Sequence, residues 1–442
     1  MAKINITGWF MRSEITKTRN YAQAIDYLFS LTSLGWKLGL NKIRSLLKEV
    51  DNPHEKYGII HVGGTNGKGS TSSMLASILQ HSGYRTGLFT SPHLIYVGER
   101  MRVNGVPISK DELVYYIDKL EPLFEKYKCT FFEALTAIGF TYFADKKVDV
   151  AVIEVGLGGR LDATNVVNPL LSIITNVSFD HMRQLGYDRK SIAREKAGII
   201  KENSICITNN KYQSVAQVLQ EVSKQQNTRL ISLKELMRVN NVVYGENGTV
   251  FDLAINGSFF PKLRLSLLGP HQVENAALAV SAAKILQERF LPLKNDDIYT
   301  GLDRVKWPGR LQLLSKKPRL LCDVAHNPDG ARALAKSIQK IFRYRRLVLL
   351  MGVMRDKKYN QIMKQLAPLA DSFIAVSPDY HRSLDAGRLA QAAKKYCTHV
   401  IKFDHVYQGV DFALERATDD DLIVCTGSHF TVGEVLLHFE QI

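Results

Sequence analysis

The 442-residue sequence lacks the features that mark membrane, secreted and metal-cluster proteins. No run of about eighteen apolar residues occurs, which argues against a membrane-spanning helix. The opening stretch MAKINITGWFMRSEITK has no apolar core of the kind found in signal peptides. Cysteine is scarce, because only five are present, scattered and without metal-ligand spacing. We therefore expect a cytoplasmic protein with reduced thiols and no membrane partner.

Acidic residues are also in deficit. The chain has 58 Lys and Arg against 43 Asp and Glu, which gives a formal net charge of +15. The basic residues are spread along the chain, and neither an RNA-binding signature nor zinc-finger spacing is present. This pattern favours small anionic substrates over nucleic acid, so we expect no nucleic-acid partner.

What the sequence does contain is an alternation of short apolar runs and helical patterns. Two amphipathic helices, NYAQAIDYLFSL and LNKIRSLLKEV, precede the first predicted strand. Strands rich in Val, Ile and Leu that are separated by helices predict a mostly parallel sheet covered on both faces. The predicted strands are YGIIHVG (57–63), YRTGLFT (84–90), VDVAVIEVG (148–156), LLSIITNV (170–177) and SICITN (204–209).

The pattern changes from about residue 235 to 270. Segments there alternate around Asn-Gly turns and predict a small antiparallel subdomain. A helical stretch follows, and then the Trp-Pro-Gly of VKWPGRLQ (305–312) marks a linker between domains. Beyond it, a second series of strands and helices begins at RLLCDVAH. A chain of this length exceeds one ordinary core, so we predict two domains, 1–303 and 304–442.

The stretch HVGGTNGKGS, residues 61–70, has the composition of a phosphate-binding loop but departs from the Walker A pattern G-x-x-x-x-G-K-[ST]. Gly69 follows Lys68, the hydroxyl of Ser70 comes one residue late, and Val62 replaces the first glycine. A strand before it and a helix after it are the context in which backbone N–H groups cradle phosphates. We predict that Lys68 neutralises the outer phosphates of a nucleotide. A structural turn with a solvent-facing lysine is the alternative.

Because Gly69 has no hydroxyl for magnesium, other ligands are needed. The next predicted strand ends in FTSPH and delivers Ser91 to the same sheet edge, and the following one delivers Glu154. A hydroxyl and a carboxylate, with water and phosphate oxygens, suit magnesium. His181 follows a further strand. Alone, these residues could be a turn residue, an ion-pair partner and a structural histidine; at successive strand ends they favour a metal site.

Seven segments, in this order, resemble the folylpolyglutamate synthase family, the folate branch of the Mur ligases: HVGGTNGKGS, TSPHL, EVGLGGRLDATN, FDHMRQLG, REKAGII, WPGRLQ and DVAHNPDG. The resemblance extends from about residue 20 to about residue 435. It implies an α/β protein with a P-loop NTPase-type, mostly parallel sheet domain that carries the antiparallel subdomain. A smaller, Rossmann-like C-terminal domain of the Mur ligase type would follow.

The resemblance also implies a reaction. An ATP-dependent ligase of this family adds L-glutamate to the γ-carboxylate of tetrahydrofolate through an acyl phosphate. The alternatives are dihydrofolate synthase, which adds the first glutamate to dihydropteroate, and a bifunctional enzyme that does both. A cell-wall Mur ligase and a catalytically silent nucleotide- or folate-binding relative are more distant alternatives. The family implies a monomer.

Site residues carry over by motif. Ser91 and Glu154 match the ligands of a first magnesium ion, and His181 matches a ligand of a second. Lys196, in REKAGII, matches a lysine that the family carries as a carbamate, so Lys68, His181 and Lys196 are the expected catalytic residues. The positions that match ATP contacts are Thr65, Asn66, Gly67, Lys68, Gly69, Ser70, Asn275, Arg310, Asp323 and His326.

The acceptor and glutamate contacts also follow from the resemblance. The residues that match the pterin pocket are Thr130, Phe132, Asp162 and Ala163. Phe132 could equally be a core aromatic residue. For glutamate, we expect Ser428 and His326, whereas residues 381–383 (HRS) either hold carboxylates or lie in a solvated loop. Phe179 replaces a smaller aliphatic residue and Val324 replaces a frequent glycine, but neither change removes a functional group.

Overall fold

The computed structural model describes residues 19–34, 39–255 and 257–440. They form an eight-stranded, a three-stranded and a six-stranded sheet with helices packed on them. This is the α/β architecture that the sequence predicts. Within the described residues, no helix is long and apolar enough to cross a membrane.

The first sheet is mostly parallel. Its strands are β1 (Gly58–Gly63), β2 (Thr86–Phe89), β3 (Met101–Val103), β4 (Val106–Pro107), β5 (Val150–Glu154), β6 (Leu171–Ile174), β7 (Ile205–Thr208) and β8 (Arg229–Ser232). Their spatial order is β4-β3-β2-β5-β1-β6-β7-β8, in which β3 pairs antiparallel with both β2 and β4, and the other neighbouring strands pair parallel. The carboxyl ends of β2, β5, β1 and β6 therefore meet at one edge, where ligands of such sheets bind.

Helices cover both faces of this sheet. They are α1 (Tyr21–Ser30), α2 (Asn41–Glu49), α3 (Lys68–His81), α4 (Lys110–Tyr127), α5 (Phe131–Asp145), α6 (Met182–Leu185), α7 (Arg189–Ala197), α8 (Gln213–Gln225) and α9 (Leu233–Leu236). In β1, Ile60 and Val62 pack with α3 on one face, whereas Ile59 packs with α4 and α5 on the other. Burial on both faces explains why the predicted strands are continuously apolar.

The predicted antiparallel subdomain is a meander of β9 (Met237–Gly245), β10 (Gly248–Ile255) and β11 (Ser258–Leu265). Alternate residues of β10 (Phe251, Leu253 and Ile255) are buried in the core that α3 shares with the next helix. That helix is α10 (Pro270–Arg289), and α11 (Asn295–Arg304) follows it. The meander thus closes one side of the first sheet's core.

The third sheet contains β12 (Gln312–Lys316), β13 (Arg319–Asp323), β14 (Leu347–Met351), β15 (Ser372–Val376), β16 (His399–Phe403) and β17 (Leu422–Thr426). The spatial order is β12-β13-β17-β14-β15-β16, parallel apart from β12. Its helices are α12 (Pro328–Ile341), α13 (Tyr359–Leu366), α14 (Ala386–Ala393), α15 (Val406–Arg416) and α16 (His429–Phe439). The boundary between residues 303 and 304 stays a prediction.

Candidate active site

The phosphate loop, residues 64–70, runs from the end of β1 into the first turn of α3. Gly67 caps α3 in the left-handed region, with a φ of 83°, where glycine carries no steric penalty. A Cβ at Gly67 would also overlap the side-chain carboxamide of Asn275, which reaches the loop from α10. The predicted nucleotide residues Gly67 and Asn275 are therefore in direct proximity.

Residues that follow β6 hold this loop in place. The backbone N–H of Thr65 donates to Asn176 O at 2.8 Å, and that of Asn66 donates to Asn176 Oδ1 at 3.0 Å. Thr65 Oγ1 accepts from the N–H of Ser178 at 3.0 Å. The conformation of the phosphate loop therefore depends on a segment more than a hundred residues away in the chain.

Lys68, Ser91 and Glu154 meet at the sheet edge. Lys68 Nζ lies 3.8 Å from Glu154 Oε1, and the backbone N–H of Ser91 donates to Glu154 Oε2 at 3.1 Å. Burial raises the pKa of Glu154, while the charge of Lys68 opposes that rise. A carboxylate therefore lies directly beside the predicted phosphate site.

Lys196 is a buried lysine on α7. Its Nζ donates to Gly64 O at 2.8 Å, which places the amine against the back of the phosphate loop. Burial, aided by the charge of Lys68, lowers the pKa of Lys196 to about 7. A substantial fraction of the amine is consequently uncharged near neutral pH.

His181 caps α6 with a φ of 48° and follows Asp180. Desolvation, to which nearby Lys357 and Lys68 add, lowers the pKa of His181 to about 4 despite the opposing charge of Asp180. The imidazole is therefore neutral at pH 7, which is the form that binds metals. Phe179, the departure noted in the sequence, stacks against the guanidinium of Arg189 at 4.5 Å.

Four polar side chains of the C-terminal half lie on the side of the first sheet's carboxyl edge: Arg310, Asp323, His326 and His429. Asp323, at the end of β13, accepts from the N–H groups of Leu311 at 3.0 Å and Ala325 at 2.9 Å. Burial raises the pKa of Asp323, and the nearby charge of Arg310 opposes the rise. Arg310 Nη2 lies 3.5 Å from His429 Nε2, whose ring is 5.2 Å from that of His326.

Trp307 explains the glycine that departs from the Walker A pattern. Its indole packs on Gly69, where a Cβ would lie 3.0 Å from Cζ2. The guanidinium of Arg102 lies 5.5 Å from the ring centroid. The indole borders a small, open cleft. The cleft residues are Thr90, Pro92, Leu94, Glu99, Arg102, Trp307, Pro308, Arg310 and His429.

Three of the predicted pterin residues have structural contacts of their own. Thr130 caps α5, with its N–H donating to Glu133 Oε2 at 2.8 Å, and Phe132 packs on Gly156. The carboxylate of Asp162 accepts from the N–H groups of Leu157 at 2.8 Å and Thr164 at 3.0 Å. Ala163 is buried beside it. These residues gather around the loop that follows β5, next to Glu154.

The predicted glutamate residue Ser428 is buried and caps α16, accepting from Thr431 N–H at 3.0 Å. It precedes His429 and so borders the C-terminal side of the site. Residues 381–383 lie on a loop where His381 and Arg382 are exposed. The structure thus brings the nucleotide and metal candidates to one edge, with Ser428 at its margin.

No cluster of three or more His, Cys, Asp or Glu side chains able to hold a metal occurs in the part of the chain that the structure describes. Asp180, Asn327 and Lys357 were not predicted from the sequence, and they connect the two large sheets. Asp180 lies 3.0 Å from Lys357 and 3.3 Å from Asn327. Burial alone would raise the pKa of Asp180, but the hydrogen bond from His326 and the charge of Lys357 hold it well below its usual range.

Comparison with known proteins agrees with this geometry. The family model for the Mur ligase middle domain matches residues 62–283, and the one for the Mur ligase glutamate ligase domain matches residues 309–429. The dihydrofolate synthase/folylpolyglutamate synthase of Bacillus subtilis (strain 168) is 33% identical over 423 residues, which cover 94% of this chain and 98% of that protein. The chain belongs to the folylpolyglutamate and dihydrofolate synthase family of Mur ligases.

Other members of the family are equally similar over their full length. The folylpolyglutamate synthase of Lacticaseibacillus casei is 31% identical, with 94% of this chain and 98% of that protein covered. The structure of Mycobacterium tuberculosis folylpolyglutamate synthase complexed with ADP superposes with a TM-score of 0.88. It is 32% identical, and the match covers 95% of this chain and 99% of that one. As a family member, the chain is an ATP-dependent ligase that forms amide bonds.

Proposed function

We propose that the chain joins L-glutamate to the γ-carboxylate of tetrahydrofolate, with ATP converted to ADP and phosphate. The observation that carries this proposal is the convergence of Lys68, Glu154 and Lys196 on a phosphate loop. Arg310 approaches from the C-terminal sheet, since its charge acts on the pKa of Glu154. Cations around a loop that binds phosphates suit a reaction between two anions, ATP and a carboxylate.

The proposed chemistry has two steps. A carboxylate oxygen of the acceptor attacks the γ-phosphorus of ATP, and the bond to the β–γ bridging oxygen breaks to release ADP. The amine of glutamate then attacks the acyl carbon, phosphate leaves with the former carboxylate oxygen, and the amine loses a proton. Lys68 and Arg310 would stabilise negative charge on the transferring phosphoryl group.

The residues at the sheet edge fit magnesium. Glu154 Oε2 accepts a backbone N–H and Oε1 lies 3.8 Å from the Lys68 amine, so among the described residues lone pairs stay open for a cation. One carboxylate with the hydroxyl of Ser91, water and phosphate oxygens is a donor set that magnesium accepts. The ion would neutralise phosphate charge during transfer.

A second ion would be held by His181 and by Lys196 as a carbamate. The uncharged amine of Lys196 is the form that can attack carbon dioxide, and loss of a proton then leaves an anionic oxygen ligand. The burial of Lys196 and its lowered pKa support this assignment. Neutral His181 supports the same assignment, because the charge of Lys68 acts on the pKa of both groups.

The remaining roles belong to the same proposal. The predicted nucleotide residues bind ATP, and those around the loop after β5 bind the pterin. Ser428 and His326 bind the incoming glutamate. Domain closure across the boundary at residues 303 and 304 would complete the site. We also propose that the protein acts as a monomer in the cytoplasm, as the family resemblance implies.

A second acceptor has a specific observation in its favour. The Bacillus subtilis relative is named dihydrofolate synthase as well as folylpolyglutamate synthase, whereas the Lacticaseibacillus casei relative carries only the second name. Dihydropteroate is therefore the second candidate acceptor, either alone or in a bifunctional enzyme.

The test is glutamate-dependent release of phosphate from ATP in the presence of magnesium, with tetrahydrofolate and dihydropteroate supplied separately. Turnover with tetrahydrofolate alone supports a dedicated polyglutamylating enzyme, and turnover with both supports a bifunctional one. No turnover with either acceptor, by protein that still binds ATP, would contradict the proposal.

A further inference from the structure

The connector segment, residues 176–181, lies between the phosphate loop and the C-terminal sheet. On one side, Asn176 and Ser178 hydrogen-bond to Thr65 and Asn66 through backbone and side-chain atoms at 2.8 to 3.2 Å. Any displacement of this segment must therefore move the loop or break these bonds. The segment ends at His181, a candidate metal ligand.

On its other side, the connector segment contacts residues of the C-terminal sheet through Asp180. Its Oδ1 accepts from Lys357 Nζ at 3.0 Å, while Oδ2 accepts from Asn327 Nδ2 at 3.3 Å and lies 3.5 Å from His326 Nε2. Asp180 Oδ1 also accepts the backbone N–H of His181 at 2.9 Å. One carboxylate thus binds groups from both halves of the molecule.

Asn327 contacts both Asp180 and the phosphate loop. This residue caps α12, and its Nδ2 also donates to Asn66 Oδ1 in the phosphate loop at 2.9 Å. The hydroxyl of Ser178 bonds to Asp329 in the first turn of the same helix. Three polar contacts therefore join α12 to the phosphate loop or to the connector segment.

Burial makes the Asp180–Lys357 pair more than a surface ion pair. The side chains of Asp180 and Lys357 are 13% and 15% exposed. Exposed pairs contribute little, whereas removing one partner of a buried pair leaves a charge without compensation. The position of the C-terminal sheet and that of His181 are consequently linked through one carboxylate.

We propose that Asp180 is a positioning residue that holds the C-terminal domain, through Lys357 and Asn327, against the phosphate loop. It touches no reacting atom itself. Asp180 fixes the positions of His181 and the phosphate loop. Arg310 and His326 of the C-terminal domain then approach them on domain closure. The kinetic part of this proposal rests on the proposed function, whereas the structural part does not.

The test compares Asp180→Asn, Lys357→Met and the double variant with Lys317→Met. Lys317 is a matched control because it forms an exposed ion pair with Asp419 in the same domain, 3.8 Å apart, with side chains 77% and 65% exposed. We expect each single variant to lower kcat about tenfold to a hundredfold. The double variant should lose no more than the worse single variant, because both remove the same contact. Lys317→Met should match the wild type.

Small-angle X-ray scattering supplies the readout that a direct chemical role would not move. Without nucleotide, Asp180→Asn and Lys357→Met should have a larger radius of gyration than the wild type and Lys317→Met, with ADP and magnesium reducing the difference. Unchanged scattering would overturn the proposal even if turnover falls, as would multiplicative losses in the double variant. If the wild type is inactive with both folate acceptors, the proposed function fails while the scattering comparison still decides the role of Asp180.

Discussion

Electrostatic interactions at the site converge on Lys68. Its positive charge acts on the pKa of Glu154, His181 and Lys196, which come from three different elements. Glu154 supplies a carboxylate beside it, whereas Lys196 would become an anion only as the proposed carbamate. This difference makes Lys196 the residue whose proposed role is easiest to separate from ATP binding.

Lys196→Ala should reduce turnover to background while leaving ATP affinity within about threefold, because the proposed carbamate holds a metal and not the nucleotide. Phosphate release and calorimetric titration with a non-hydrolysable ATP analogue measure the two quantities. Lys201→Ala is the control. Lys201 is a partly buried lysine that follows α7, and its Nζ donates to Asn165 O at 2.9 Å. Full activity of the Lys196 variant would exclude the carbamate assignment.

The close contact with Trp307 favours glycine at position 69. A Cβ there would lie 3.0 Å from the indole, so Gly69→Ala should displace the ring and lower kcat/KM for ATP about tenfold. The double variant Gly69→Ala with Trp307→Phe should recover part of the loss because the smaller ring leaves room. Steady-state kinetics at varied ATP check this; a Gly69→Ala enzyme as active as the wild type would show that the contact is unimportant.

At the scale of elements, the start of α5 combines a structural and a proposed binding role. Thr130 and Glu133 form a capping box, with the Glu133 N–H donating to Thr130 Oγ1 at 3.4 Å. Thr130→Ala should cost about 1 kcal/mol in free energy of unfolding, whereas Thr130→Ser should keep the cap. Urea denaturation measures the stability difference. A raised KM for folate in both variants would indicate a pterin contact through the methyl group; equal stability of all three proteins would contradict the cap.

Elements were predictable where the sequence carries local periodicity. The continuous apolar runs correctly predicted β1, β2, β5, β6 and β7, because strands buried on both faces need apolar side chains throughout. The short strands β3, β4 and β8, at or next to the edges of the sheet, were missed. Their residues are partly exposed, so neither alternation nor a continuous apolar run marks them.

The site was predictable to the extent that its residues follow strand ends. Lys68, Ser91 and Glu154 were found in this way, and the structure brings them together. Asp180 was missed because its partners, Asn327 and Lys357, lie 147 and 177 residues later in the chain. No local pattern reports such a contact. The packing of Trp307 on Gly69 was invisible for the same reason.

At the scale of the whole molecule, one ion pair makes stability depend on pH. Asp421 is fully buried at the start of β17, and its hydrogen bond with Arg346 holds its pKa well below the usual range. A depressed folded-state pKa adds stability that is present above the unfolded-state pKa, about 3.9, and is lost as the pH falls through the folded-state value.

Asp421→Asn should therefore lower the free energy of unfolding clearly at pH 7, and the difference from the wild type should shrink below about pH 4. Denaturant unfolding at both pH values measures it. Asp51→Asn is the control, because the Asp51–Lys56 pair is exposed and contributes little. A difference for Asp421→Asn that stays constant with pH would contradict the assigned ion pair.

We propose that the two halves of the molecule join around ATP and that the acceptor carboxylate is activated there as an acyl phosphate. The most direct measurement uses an acceptor folate whose γ-carboxylate carries heavy oxygen, and follows the label by mass spectrometry during turnover with ATP, magnesium and glutamate. We expect one labelled oxygen per turnover to appear in the released phosphate, together with an acceptor extended by one glutamate. Phosphate free of label, alongside an extended acceptor, would show that the carboxylate is never phosphorylated and would contradict the account.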